Sequence, residues 1–232
     1  MKSTFVAFAT VCSLLSGCGS NSLLEPKIDE GTIEYAITFP DYDPKGIMKD
    51  MLPERTTLTF TNEKQVAELS AGMGIFRTTM ITDNDAHAMD YHMSMMSKKI
   101  VAHMLPIDLE LFHGDRKKPT IIVTQQVDTI AGYPCRRAVA IFDGIDQPAV
   151  EVWFTDRIEI RDPNWFGPFA DVPGVLMRYE MMQHGIRMRL DAINVVPGDV
   201  DRKKFDVKKE YQVVPPTVLH QELAQVLSTF TM

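Results

Sequence analysis

Apolar and polar positions alternate along most of this chain. From Gly31 to Pro40, Ile33, Tyr35, Ile37 and Phe39 fall on one side, and Thr32, Glu34 and Thr38 on the other. That period of two predicts a half-buried strand. Thr56–Thr61 repeats the pattern. Gly74–Thr82 and Ala86–Met96 read as two further strands, parted by Asp83-Asn84-Asp85, residues suited to a turn. Lys98–Met104, Thr120–Val127, Tyr133–Phe142, Ala149–Thr155, Val175–Gln183 and Ile186–Val195 complete the strand predictions. Asp143-Gly144-Ile145-Asp146 has hairpin chemistry, and His184-Gly185 reads as another turn. Arg161–Pro173, with Pro163, Pro168, Trp165, Phe166 and Phe169, is expected to be a shaped loop, because proline cannot serve a central strand.

The period changes only at the end. Pro215-Pro216-Thr217 stops extended structure and offers Thr217 as a helix cap. Val218, Leu219, Leu223, Val226, Leu227 and Phe230 then share one helical face, which predicts a helix packed on the sheet. About ten short strands and one helix give a mainly β fold: a single antiparallel sheet curled over a core. No shift in composition marks a second domain, so residues 31–232 are expected to form one unit.

The N-terminus carries an address. Met1-Lys2 precedes the apolar stretch Phe5–Leu15, a signal-peptide core too short for a stable membrane anchor. Leu15-Ser16-Gly17-Cys18 follows as a bacterial lipobox. Residues 1–17 are expected to be removed, and the Cys18 thiol to carry acyl chains. Residues 18–30 then form a tether. Gly19 gives no inner-membrane retention signal, so the expected place is the outer membrane, facing the periplasm.

Composition removes several alternatives. With 24 basic and 31 acidic residues, nucleic-acid binding has no electrostatic support. No apolar run reaches the roughly 18 residues of a membrane-spanning helix. Three cysteines make no disulfide framework. Cys12 leaves with the signal, so Cys135 is the remaining thiol and reads as a small buried hydrophobe. The basic run Arg116-Lys117-Lys118 reads as solvated surface.

Catalytic signatures are missing. There is no G-x-S-x-G, H-E-x-x-H, phosphate-binding loop or G-x-G-x-x-G, and Gly72-Met73-Gly74 alone is no nucleotide loop. A non-catalytic role with no cofactor is therefore the expectation. Methionine is the compositional oddity, with 15 in the chain. One cluster runs over His87, Met89, His92, Met93, Met95, Met96, His103 and Met104; another over Met177, Met181, Met182, His184 and Met188. Pliable thioethers suit an apolar guest such as a lipid. That reading nominates Met93, Met95, Met177 and Met181, with Trp153, Trp165 and Phe166 at a mouth. Thioether and imidazole together also suit copper, and the alternative metal set is His92, Met93, Met96 and His184. On a strand over 86–96, His87, Met89, Tyr91, Met93 and Met95 would share one face and His92 and Met96 the other. A third reading is a structural lipoprotein that docks onto a protein partner.

Three segments stand in a familiar order: Gly132-Tyr133-Pro134-Cys135-Arg136-Arg137-Ala138, then Val152-Trp153-Phe154-Thr155, then Asp171-Val172-Pro173-Gly174-Val175-Leu176-Met177. The chain resembles the GLPGLI-type envelope proteins and a related family known only as a domain of unknown function. Here Val172, Val175 and Leu176 replace the family's Leu, Leu and Ile. The resemblance spans roughly residues 128–195. It implies a sheet-rich fold similar to the half-barrels of lipoprotein carriers, and no particular activity.

Overall fold

The computed structural model describes residues 27–41, 51–109, 118–143, 149–183 and 186–228. The signal peptide, Cys18, the tether up to residue 26, Arg116-Lys117, the centre of the 143–146 turn, His184-Gly185 and Phe230 lie outside the described residues. So does the side chain of Leu227.

The strands are β1 (Gly31–Thr38), β2 (Arg55–Phe60), β3 (Lys64–Ala71), β4 (Phe76–Asp83), β5 (Ala88–Met95) and β6 (Lys98–Met104) in the first half. They are β7 (Thr120–Ile130), β8 (Tyr133–Ile141), β9 (Val150–Thr155), β10 (Val175–Gln183), β11 (Ile186–Pro197) and β12 (Gln212–Val213) in the second. One helix, α1 (Pro216–Ser228), ends the described chain. All twelve strands join one open, curved sheet in the order β12-β6-β5-β4-β3-β2-β1-β11-β10-β9-β8-β7. Every pairing is antiparallel except β12 on β6.

Every strand predicted from the alternation is present, but β3 and β12 were not among them. In β3 the alternation is broken at Gln65 and Val66, where both faces are covered. Neighbouring Gln65 and Val66 are each almost wholly buried, on opposite sides of the sheet. Gln65 tolerates burial because its amide donates to Asn84 Oδ1 at 3.1 Å and to the Pro163 carbonyl at 2.9 Å. The outer covering of this strand is a strap, residues 198–214. It leaves β11 and crosses the outer face of β2–β6. Glu30 holds its start, accepting from the Val200 amide at 2.6 Å and pairing with Arg202. Lys204 reaches Glu68 at 2.9 Å, the Lys208 amide donates to His92 Nε2 at 3.4 Å, and the Val214 amide donates to the Val101 carbonyl at 2.8 Å. The strap makes β12 where it meets the edge.

The inner face holds most of the core. On β5 and β6, Met89, Tyr91, Met93, Ile100, Ala102 and Met104 pack with Leu219, Leu223 and Val226 of α1. The helix begins at Pro216, a residue whose missing N–H costs nothing in a first turn. Thr217 therefore sits inside that turn and does not cap it. Lys98 pairs with Glu222 and ties the helix to the sheet. A second cluster fills the middle, with Ile33, Tyr35, Ile37, Phe60, Met177, Leu190 and Ala192. Tyr35 donates to the Leu176 carbonyl at 2.8 Å, bridging β1 and β10 across the curve. A third cluster joins Ala138, Ala140, Val152 and Phe154 to Phe169 and Val172 of the loop after β9.

That loop, residues 156–174, is the shaped segment the prolines predicted, and it runs across one end of the sheet. Its start pairs with Ile28. Arg161 then donates its amide to Asn62 and pairs with Asp85. Between β7 and β8, Ala131 and Gly132 both have positive φ, 49° and 85°, as a two-residue type I′ hairpin requires.

Candidate functional site

The register of the sheet builds an apolar row on its inner face. Ile33 on β1 stands opposite Leu58 on β2, Leu58 opposite Ala67 on β3, Ala67 opposite Met80 on β4, and Met80 opposite Tyr91 on β5. Directly opposed residues share a face, so all five point inward. Ile33 and Tyr91 are buried in the two clusters that flank the row. Leu58, Ala67 and Met80 are only half-buried, as are Leu69, Met181 and Met188 on the same face. On the outer face of the same strands, Thr59, Val66, Thr79, Ile81 and His92 are buried. A solvent-reachable stretch of apolar surface thus lies inside the curve, while the middle of the outer face, at Thr59, Val66, Thr79, Ile81 and His92, is covered.

The residues nominated for a hydrophobic guest divide into two groups. Met93 and Met177 have no accessible surface at all. A wall of any void large enough for water would show some, so these two are packing residues and line no cavity. They also sit in different clusters. Met95, Trp165 and Phe166 are partly buried against the first cluster, and Trp153 and Met181 against the second. Trp165 and Phe166 do meet, ring edge to face at 5.7 Å, but Trp153 belongs with the second cluster and does not complete a mouth with them. Instead Trp165 is part of a latch. Its indole N–H donates to Asn84 Oδ1 at 3.1 Å, and His87 stacks on its ring at 5.0 Å. His87 also faces Asp162 at 3.3 Å, and both have positive φ. The sequence put His87 on the face of Met89, but the residue lies in the turn before β5.

Among the described residues, the members of the alternative metal set are not brought together. His92 and Met93 are adjacent in β5 and project to opposite faces, His92 under the strap and Met93 into the core. Met96 lies past the end of β5 with φ 55° and is 79% exposed. His184 lies outside the described residues. Among the described residues, no group of three or more His, Cys, Asp or Glu converges on one point. Cys135 is 1% exposed, donates its thiol to the Tyr133 carbonyl at 3.3 Å, and is pushed up to about 11 by burial. It remains a protonated, structural thiol.

His92 carries a pH dependence. Burial holds its imidazole below the ordinary histidine range, outweighing the opposite pull of Asp90. Its Nε2 accepts from the strap and its ring meets Tyr211 edge-on at 5.0 Å. The unfolded chain takes up this proton near pH 6.5, whereas the folded chain resists it. Stability is therefore full above about pH 6.5 and falls as pH drops below it. Thermal unfolding at about pH 7.5 and about pH 5.5 is expected to show this loss, and a smaller one in His92→Gln.

No family model matches this chain, and no curated protein does. Solved structures do. Two crystal forms of PNGF-II superpose with TM-scores of 0.54 and 0.51, at 12% and 11% identity. Each match covers 85% of this chain and 33% of PNGF-II, so the chain spans about a third of the length of these structures. At such identity the likeness is one of fold. A looser match, with TM-score 0.34 and 9% identity, covers 80% of this chain and 56% of MucB in its complex with MucA(peri).

Proposed function

We propose that this protein is a non-catalytic binder that holds a hydrophobic, lipid-like guest on the inner face of its sheet. The observation that carries the reading is the row Leu58–Ala67–Met80. These are apolar side chains in register on a concave face, left half-exposed between two filled clusters. Exposed apolar surface inside a curve is held against water until a guest covers it. Methionine at 80, 181 and 188 lets the surface adapt to a flexible chain. The lipobox at Leu15–Cys18 supports attachment to an envelope membrane, where such guests are found. The resemblance to GLPGLI-type proteins, with the carrier-like half-barrel it implies, supports the same reading.

Met80→Trp fills the row from its centre, at a side chain that packs on the edge of the first cluster and is itself only half-buried. Binding of a fluorescent apolar probe is expected to weaken at least about tenfold, with the melting temperature nearly unchanged. Probe binding equal to that of the unsubstituted protein would overturn the assignment.

A second reading, docking of a protein partner by strand addition, is favoured by β7. This eleven-residue edge strand has β8 on one side only and contains neither lysine nor proline. Val127 on it is 74% exposed. Such an edge is a template for an added strand.

A further inference from the structure

The end of the sheet opposite Ile28 and the 156–174 loop carries a second feature, built from residues other than the apolar row. Two neighbouring connections form it: the 3₁₀ turn Gly72–Gly74 between β3 and β4, and the tight turn at Met96 between β5 and β6. The Met96 amide donates to the Ile75 carbonyl at 3.2 Å, so the two connections are joined. Each holds a methionine in left-handed backbone, Met73 at φ 53° and Met96 at φ 55°. A bulky side chain at such a φ is strained. Neither methionine is repaid by burial: Met73 is 87% exposed, Met96 79% and Ile75 46%.

Cations stand directly behind these tips. Arg77 is opposite Ser94, and Ser94 is opposite Lys99, so the three share the outer face of adjacent strands. At the usual strand spacing the Arg77 and Lys99 backbones are about 10 Å apart, with the Ser94 hydroxyl between them. A shallow open hollow lies there, lined by Gly74, Ile75, Arg77, Ser94, Met96 and Lys99. Every other arginine among the described residues is in an ion pair with a carboxylate, but Arg77 is in none. Its guanidinium instead lies over the turn, where a Cβ at Gly74 would meet Nη2 at 3.0 Å. Lys99 likewise has no carboxylate partner among the described residues, and stands 5.8 Å from the Tyr211 ring. The segments 72–77 and 94–99 contain Arg77, Lys98 and Lys99 and no Asp or Glu, in a chain with formal charge −7.

We propose that this tip docks on the surface of an anionic phospholipid bilayer. Met73, Ile75 and Met96 enter the acyl boundary, while Arg77, Ser94 and Lys99 receive a lipid phosphate. Protruding apolar tips backed by uncompensated cations match an anionic interface on both counts. A free anion would use the cations and leave the three exposed apolar side chains unexplained. A peptide would need a deeper groove than this one.

The test is flotation of the full chain with two kinds of vesicle, phosphatidylcholine alone and equal parts phosphatidylcholine and phosphatidylglycerol. The apolar stretch Phe5–Leu15 is common to all variants, so the informative quantity is the gain on anionic vesicles. The unsubstituted protein is expected to show that gain. Arg77→Gln with Lys99→Gln is expected to weaken anionic binding about thirtyfold and to leave neutral binding alone. Met73→Ser with Met96→Ser is expected to weaken it as well, at an unchanged melting temperature. Equal binding to both vesicles, or none to either, would overturn the proposal. So would displacement by inorganic phosphate without any effect of Met73→Ser and Met96→Ser, which would leave a free-anion site. Because Leu58, Ala67 and Met80 are untouched, probe binding in the interior stays intact in these variants whichever way the flotation falls.

Discussion

Replacing Gly174 by alanine is expected to destabilise the protein by about 3 kcal/mol, at the upper end of what overpacking costs. A Cβ at this position would lie 2.4 Å from the Thr155 carbonyl oxygen, 2.9 Å from Phe154 Cδ2 and 3.0 Å from the Thr155 carbonyl carbon. Two of these three atoms are backbone, so no side-chain rotation relieves the contact. The Gly174 carbonyl also accepts from Asn164 Nδ2 at 2.8 Å, and the same amide reaches the Val172 carbonyl at 3.1 Å. Moving the backbone at 174 would break this clamp and loosen the return of the loop into β10. Differential scanning calorimetry of the Gly174→Ala protein is the check. A melting temperature within a degree or so of the unsubstituted protein would refute the tight approach of β10 to β9.

Phe154→Ala is expected to cost about 4 kcal/mol, which for a chain of this size lowers the melting temperature by about 10 °C. Phe154 has no accessible surface. Its ring packs with Ala138, Ala140 and Val152 and with Phe169 and Val172 from the loop, and the Arg136 guanidinium lies 5.1 Å over it. The alanines at 138 and 140 are too small to move into the space. Removing the ring leaves a cavity as well as lost contacts, and both terms add. Urea denaturation would measure the difference. A cost below about 1 kcal/mol would mean that the loop collapses onto the gap and that this cluster is not a rigid support.

These two residues also mark how far the sequence is informative. Local alternation predicts ten of the strands because each has at least one stretch with distinct sides, as in Ile33, Tyr35 and Ile37 of β1. It misses β3 because the start of that strand, at Gln65 and Val66, is covered on both sides, and covering both sides is a long-range event. Leu219, Leu223 and Val226 give the helix its buried face at a spacing visible in the sequence. Gly174 and Trp153 stand in recognisable motifs, yet the motifs point to packing and not to a site.

The candidate site is less legible. Methionine content draws attention to β5 and β10, but composition cannot separate Met93, which is sealed, from Met80, which is half-exposed and is not among the buried members of either cluster. What distinguishes them is the register across β2, β3 and β4, together with the helix that closes over one end of the sheet. Within the alternative metal set, His92 and Met93 do not converge, for a local reason that the strand period already contained: they are neighbours, and neighbours in a strand face opposite ways. The tip at Met73 and Met96 was hidden for the converse reason. Both residues read as parts of strands or as a glycine-flanked oddity, and only the fold brings the two turns side by side.

The central claim is that apolar surface inside the sheet holds a guest. Native mass spectrometry of the Cys18→Ser protein, purified gently from cells, tests it most directly. The expected result is an added mass on the order of several hundred daltons, released on denaturation and missing from the Met80→Trp variant. A bare polypeptide mass from the unsubstituted interior, even after incubation with phospholipid and fatty acid, would contradict it.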